Sequence, residues 1–399
     1  SVLPSKDGNG SPVFCVLAKR TYDIQPNQPA IRAEQTNPLV KVDEYYDNGD
    51  PQSCTVKYET DLIPYKLATD VVVIGNAMSR GNPAVEHVLN SGVDYTSGPR
   101  WLGENYLRGK TVIAVAGTHG KTTTASMVAW ILEKAGVKPG FLIGGIPGNF
   151  GFSARDGESC FVVEADEYDT AFFDKRAKLV HYRPSVAILN NLEFDHADIY
   201  EDIKAIQTQF HHFVRTIRGN GTIISNGSDA RLEAVLEQGC WSQLERFSLE
   251  EGMDWQAEMI KPDGTELTFH HHGKPVGSMT WTHCGRHNAM NACAALGAAV
   301  AAGIEPAVAV EALAGFKGVA RRMEKICDTG DIRVYDDFAH HPTAIRLTLE
   351  GLRRNVGNAR VLVALEPRSN TMRSGVHILS LIHISEPTRL VHSSRMPSS

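Results

Sequence analysis

One stretch constrains the fold more than any other. The apolar and β-branched run Thr111–Ala116 leads into Gly117-Thr118-His119-Gly120, and then into Lys121-Thr122-Thr123-Thr124. The first part reads as a buried strand. The glycines read as a tight turn, and Met127, Val128, Ile131 and Leu132 give the following segment a helical apolar stripe that stops near Gly136. A strand, a glycine turn and a helix start, in that order, make an anion site. Backbone N–H groups curl around phosphate oxygens, the helix dipole favours negative charge, and the lysine adds a point charge. A threonine hydroxyl next to that lysine suits Mg²⁺. The usual phosphate loop has a further glycine five residues before its Gly-Lys pair. Here Val115 stands there, so the loop is a shortened variant.

The rest of the chain is compatible with an enzyme of this kind. Its 399 residues are 42% hydrophobic and 22% charged, which suggests two or three globular domains. A net charge of −6 supplies no basic field for nucleic acid. No apolar run is long enough to span a bilayer and no leader-like start is seen, so a cytoplasmic protein is expected. Seven scattered cysteines without C-x-x-C spacing suggest reduced thiols rather than a zinc site. The histidine runs His270-His271-His272 and His211-His212 are read as a hairpin tip and a helix face, in preference to metal ligands.

Organisation follows the change in pattern along the chain. Residues 1–66 are rich in Pro, Asn, Asp and Gln and suggest short strands such as Val13–Leu17 and Cys54–Tyr58. From residue 70 the pattern becomes α/β. Val71–Ile74, Phe161–Glu164 and Val186–Asn190 read as strands, with a helix over Pro83–Leu89. Residues 240–282 suggest a small antiparallel subsheet turning at Pro262-Asp263-Gly264. Asn288–Ala302 is an Ala-rich helix. A last α/β unit is expected from strands Ile332–Tyr335 and Val361–Leu365 joined by the helix Thr343–Arg353. The expected domains are 1–66, 67–105, 106–315 and 316–375, with a tail over 376–399.

Polar residues gather where these strands end, and ligands bind at that edge of a parallel sheet. Glu164 closes one strand, and Asp195-His196 follows another. Thr122, Glu164 and His196 are candidate Mg²⁺ ligands. Asn288 and Asn291 open the Ala-rich helix, and their amides can donate to and accept from an adenine edge, although Asn288 could equally be the helix N-cap. Arg322 is a candidate for offsetting charge on a γ-phosphate, and Asp337 for accepting a ribose hydroxyl. With Gly117, Thr118, His119, Gly120, Lys121, Thr122 and Thr123 they form a candidate ATP site, in which Lys121, Glu164, His196 and Arg322 carry the chemistry.

Taken in order, Gly117–Thr122, Glu164-Ala165-Asp166-Glu167, Asp195-His196, the Asn288/Asn291 pair and Asp336–Pro342 resemble the Mur ligases, ATP-dependent amide ligases of peptidoglycan synthesis. Ile74–Pro83, Gly144–Phe150 and Leu365–Met372 look like the branch that joins UDP-N-acetylmuramate to L-Ala-γ-D-Glu-meso-diaminopimelate. The resemblance covers about residues 68–375. It implies ATP and Mg²⁺ as cofactors, an acyl-phosphate intermediate, and a monomer that binds neither nucleic acid nor membrane. It further implies that Asn76, Arg80, Asn82 and His340 meet substrate. Arg368 is the candidate for a peptide carboxylate, which an arginine can grip bidentately. An alanine-adding or other Mur-type ligase, and a nucleotide-binding remnant without catalysis, are the alternatives.

Both ends depart from the family. Residues 1–66 resemble an uncharacterised bacterial domain rather than the UDP-binding strand and Gly-rich turn that open a Mur ligase. Leu379–Arg389 looks like the in-frame translation of a sequencing adapter. The chain is therefore expected to be a chimera that binds nucleotide but ligates poorly or not at all.

Overall fold

The computed structural model describes residues 71–365, together with the backbone of residues 14–17. The expected strand at Cys54–Tyr58, the candidate Arg368 and the tail 376–399 lie outside the described residues. The chain divides into two units, one of residues 1–101 with 170–175 and one of residues 102–169 with 176–399.

In the first unit, β1 (Phe14–Leu17), β2 (Val71–Ile74) and β3 (Tyr95–Ser97) form a parallel sheet in the order β1-β2-β3, with Phe14 opposite Val71 and Val72 opposite Tyr95. Helix α1 (Pro83–Ser91) starts where Asn82 accepts the Ala84 N–H at 3.0 Å and Pro83 fixes the first turn; it stops at Gly92. Val85 and Val88 of this helix pack on Val72 and Ile74, with Phe172 and Phe173 alongside. A single turn, α2 (Gly98–Trp101), closes this part of the chain.

The second unit is built on one ten-stranded sheet. In chain order it holds β4 (Thr111–Ala116), helix α3 (Lys121–Lys134), β5 (Gly140–Leu142), β6 (Ala154–Arg155) and β7 (Cys160–Glu164). A short hairpin, β8 (Asp169–Ala171) and β9 (Asp174–Ala177), forms a separate two-stranded sheet whose residues 170–175 count with the first unit, and the chain then continues through β10 (Val186–Leu189), α4 (Ile203–Val214), β11 (Thr222–Asn226), α5 (Ala230–Glu237) and β12 (Gln243–Ser248). Then come β13 (Trp255–Met259), β14 (Glu266–His271), β15 (Lys274–Thr280), α6 (Arg286–Ala301) and α7 (Pro306–Ala314). The sheet order is β15-β14-β13-β12-β11-β10-β4-β7-β5-β6.

Alternation along β4 shows why it sits in the middle. Ile113 and Val115 face one core with α3, α6 and α7, whereas Val112, Ala114 and Ala116 face another with α4 and α5. A parallel strand covered on both faces needs apolar residues on both, which is what the continuous run supplies. The small side chains of α6 allow it to lie close to α3 and to strands β10–β13. Residues 240–282 differ from expectation in one respect. Strand β12 pairs parallel with β11, and only β13–β15 form antiparallel ladders, so the subsheet continues the main sheet.

The last segment also differs. β16 (Glu324–Asp328) and β17 (Arg333–Asp336) form a two-stranded antiparallel sheet, followed by α8 (Pro342–Val356). Residues 361–365 form no named strand. The short run Val361–Leu365 has strand-like composition, and Val363 within it forms a single bridge. This segment is tied to the sheet body by the Pro147–Val319 bridge and by backbone hydrogen bonds from Ala320 to Ile146 and from Gly148 to Gly318. No helix among the described residues is long and apolar enough to cross a membrane.

Candidate functional site

The chain leaves β4 toward β5 and β7 on one side and returns to β10 on the other, so the sheet order reverses beside β4. The C-terminal ends of β4, β7 and β10 therefore frame a crevice, the usual ligand position in such sheets. A cleft of about 840 Å³ opens there, lined by the glycine turn and by residues of all three strand ends, of the α6 start and of the 316–348 segment.

The turn itself needs its glycines. Gly117 has φ +144° and Gly120 has φ +76°, both in territory that side chains avoid. A Cβ at Gly120 would come within 2.5 Å of Asn291 Oδ1. Thr118 fastens the turn to the β10 end, donating to Glu193 O at 3.2 Å and accepting the Glu193 N–H at 2.8 Å. The His119 N–H donates to Asn191 Oδ1 at 2.8 Å.

Lys121 opens α3 and is buried. Its ammonium donates to Gly117 O at 2.6 Å and to Glu167 Oε2 at 2.8 Å, and lies 3.6 Å from Asp166 Oδ1. Burial works to lower its pKa, but Glu167, Asp166 and Glu164 outweigh that and raise it, so the lysine stays charged. Asp166 shows the reciprocal effect. Burial pushes its carboxyl up, and Lys121 and Lys178 outweigh that and hold it at about 2.

Two oxygen-rich sets flank the lysine. In one, the Thr122 hydroxyl donates to Glu164 Oε1 at 2.9 Å, while Glu164 Oε2 accepts the Gly144 N–H at 2.7 Å. In the other, Asp166, Glu167 and His196 bring one ligand atom each within 4.8 Å of the others. His196 Nε2 lies 3.3 Å from Glu167 Oε1, which is buried and makes no hydrogen bond. Burial opposes protonation of His196, but the Glu167 contact raises its pKa overall. Of the expected Mg²⁺ ligands, Thr122 and Glu164, expected to share one ion, touch each other, and His196, expected to hold a second, meets Glu167.

The other expected residues fall in three groups. Asn291 is buried against the turn beside Gly120, and Asn288 donates its amide to Cys284 O at 2.8 Å. Gly285, not Asn288, is the N-cap of α6. Arg322 reaches Thr122 Oγ1 at 3.5 Å and lies over the Phe338 ring at 5.1 Å. Asp337 accepts the Met323 and Ala339 N–H groups at 2.8 and 2.7 Å, and burial raises its pKa. Thr123 and His340 line the cleft. Asn76, Arg80 and Asn82 belong to the first unit and are exposed there. Arg80 pairs with Glu86 at 2.9 Å, and Asn82 caps α1.

Three important residues had no assigned role in the sequence reading. Glu167 holds Lys121, and its signal was the second glutamate of Glu-Ala-Asp-Glu at a strand end. Glu193 and His341 meet across the cleft, where Glu193 Oε2 accepts the Thr343 hydroxyl at 2.7 Å and lies 3.5 Å from His341 Nδ1. Their separation in sequence hid them.

A phosphate loop with a buried ammonium, flanked by carboxylates at the switch point of a parallel sheet, defines a nucleotide-dependent α/β enzyme. Comparison with known proteins narrows the class. The Mur ligase middle domain matches residues 115–299, and the Mur ligase glutamate ligase domain matches residues 321–377. An uncharacterized domain conserved in bacteria, DUF2169, matches residues 9–90 and so extends past the expected boundary at residue 66. The chain is 52% identical over 319 residues to a UDP-N-acetylmuramate–L-alanyl-γ-D-glutamyl-meso-2,6-diaminoheptandioate ligase of Haemophilus influenzae, covering 79% of this chain and 70% of that one. It is 54% identical over 309 residues to the Escherichia coli protein of the same name, covering 77% and 67%. A crystal structure of such a ligase from Neisseria meningitides aligns with TM-score 0.60 at 54% identity, over 63% of this chain and 80% of that one. The chain belongs to the Mur ligase family, ATP-dependent amide ligases of peptidoglycan metabolism.

Proposed function

We propose that the chain carries the ligation site of an enzyme that joins UDP-N-acetylmuramate to the tripeptide L-alanyl-γ-D-glutamyl-meso-diaminopimelate. The names of the relatives at 52% and 54% identity support the substrates. The observation that carries the chemistry is the Lys121 ammonium, held between Gly117 O and Glu167 at the mouth of the turn.

A carboxylate is a poor electrophile because its leaving group would be oxide. Transfer of the ATP γ-phosphoryl group to it gives an acyl phosphate and ADP. The tripeptide amine then attacks the acyl carbon. The tetrahedral adduct expels phosphate and loses a proton, leaving the amide. The turn N–H groups and Lys121 would hold the β- and γ-phosphates, and Arg322 would offset charge on the transferring group. Asn288, Asn291 and Asp337 would hold the nucleoside end. Asn76, Arg80, Asn82, His340 and Arg368 remain the proposed substrate contacts.

The site fits Mg²⁺. Thr122 and Glu164 offer adjacent oxygens, and the orphaned Glu167 Oε1 beside His196 offers another. Bound there, Mg²⁺ would neutralise phosphate charge. On this reading the enzyme works in the cytoplasm, where ATP is supplied.

Turnover by this chain is expected to lag behind its nucleotide binding. Asp337 follows directly on a two-stranded sheet, and such sheets are marginally stable alone. Ile326, Ile332 and Val334 of this region are exposed. The test supplies ATP, Mg²⁺ and UDP-N-acetylmuramate with either the tripeptide or L-alanine, and follows both amide product and nucleotide binding. Binding lost in Lys121→Ala, with any amide product carrying the tripeptide alone, is the expected result. Product from L-alanine, or unchanged binding in the variant, would overturn the reading.

A further inference from the structure

The histidine run at residues 270–272 does form a hairpin tip with an exposed turn, and His271 at its base packs against side chains of other strands. β14 ends at His271 and β15 begins at Lys274, so His272-Gly273 is a two-residue turn, with φ +48° and +73°. Both signs are those of a type I′ turn. Successive side chains of a strand point to opposite faces. The left-handed residue breaks that alternation, and the His271 and His272 rings stack at 4.1 Å. His271 stacks in turn on Trp255, with ring centres 4.0 Å apart and planes 14° apart.

Glu245 of β12 completes the cluster. Its Oε2 accepts the Trp255 indole N–H at 2.6 Å, which fixes the carboxylate against the histidine pair. His271 Nε2 stands 3.5 Å from the same oxygen, is screened from solvent and makes no hydrogen bond. One ligand atom from each of Glu245, His271 and His272 lies within 4.8 Å of the others. None of the three lines the nucleotide cleft.

The 3.5 Å separation is informative. A hydrogen-bonded imidazole and carboxylate approach to about 2.7–2.9 Å. Two ligands bound at about 2.0–2.1 Å to one tetrahedral ion lie roughly 3.4 Å apart. Asp254 adds a second negative charge, with Oδ1 3.4 Å from His272 Nδ1, while its Oδ2 is anchored by the Arg246 N–H at 2.7 Å. Imidazole and carboxylate together suit zinc and its neighbours better than Mg²⁺.

We propose that Glu245, His271 and His272 form a second metal site, for a divalent ion of the zinc type, which clips β12 to the β14–β15 hairpin. The site is independent of the nucleotide cleft and of the ligase reading.

The experiment strips the full chain of metal and titrates it with Zn²⁺ against a chromophoric competitor, and then with Co²⁺ to read the visible spectrum. The cleft has metal-binding side chains of its own, so the signal is the difference between the wild type and single variants. H271A, H272A and E245Q should each lose one equivalent of Zn²⁺, or bind it at least about tenfold more weakly. H270A, whose ring pairs with Glu258 instead, should bind as the wild type does. His272 is an exposed turn residue, so H272A keeps the test open if H271A fails to fold. Zn²⁺ should also raise the melting temperature of the wild type more than that of H272A. Equal stoichiometry and affinity in the wild type, H272A and E245Q would overturn the proposal. So would a wild type whose zinc binding is abolished entirely by changes confined to the cleft.

Discussion

Replacing Glu193 by glutamine tests how the segment carrying Asp337 is held to the phosphate loop. Glu193 leaves the end of β10, and its backbone and the Thr118 hydroxyl are hydrogen-bonded both ways. Its carboxylate accepts the Thr343 hydroxyl at 2.7 Å and lies 3.4 Å from His119 Nε2 and 3.5 Å from His341 Nδ1. Burial pushes the carboxyl up, but the contacts from His119, Thr343 and His341 outweigh it and hold its pKa at about 2, against about 4.5 for a free glutamate. Because the folded value is depressed, this stabilisation is complete above about 4.5 and is lost as pH falls through about 2. Such a difference corresponds to about 3 kcal/mol at neutral pH. Glutamine keeps an acceptor for Thr343, so the loss isolates the charge. Urea unfolding read by tryptophan fluorescence should show Glu193→Gln destabilised by about 2–3 kcal/mol at pH 7. With a slope of about 2–3 kcal/mol per molar, that moves the midpoint by roughly 1 M. The gap should narrow steadily below pH 4.5. Equal midpoints at pH 7, or a gap that does not change between pH 7 and 3, would refute the reasoning.

Three further outcomes are expected, the first two of them from the cleft. Gly120→Ala should abolish nucleotide binding, because its φ of +76° is strained for alanine and the new Cβ meets Asn291; calorimetric titration with ATP checks it. Glu164→Gln and His196→Ala should each raise the Mg²⁺ concentration needed for half-maximal ATP binding, and an unchanged Mg²⁺ titration in both would leave them only packing roles. Arg368→Ala should weaken binding of the tripeptide roughly tenfold or more, from the loss of about 1.5–3 kcal/mol in a charge-assisted pair, with ATP affinity unchanged.

Legibility in the sequence followed the range of the interactions. The phosphate loop was readable because strand, turn and helix lie within a few residues, and the glycines at 117 and 120 are required by local geometry alone. Glu164 and His196 were readable as groups at strand ends, since a parallel sheet brings those ends together. Their partners were not readable. Which of Glu164, Asp166 and Glu167 faces Lys121, and which faces Thr122, depends on side-chain direction after β7. The Glu193–His341 contact joins residues far apart in the chain, and no period or motif announces it. Residues 361–365 show the converse: a local β pattern does not say how far pairing extends, and here it amounts to a bridge at Val363, while β17 pairs with β16. At His270–His272 the local pattern gave the turn correctly, while Glu245 and Trp255 came from other strands of the sheet.

The central claim is that the glycine turn, Lys121 and the carboxylates around it form a working Mg²⁺–ATP site within the second unit. Equilibrium binding of ATP to the full chain, with and without Mg²⁺, tests it most directly when wild type and Lys121→Ala are compared side by side. The account predicts saturable binding that Mg²⁺ strengthens in the wild type and that is lost in the variant, with both proteins equally folded by circular dichroism. Binding of equal strength in the two proteins, or no Mg²⁺-dependent binding in a folded wild type, would contradict it.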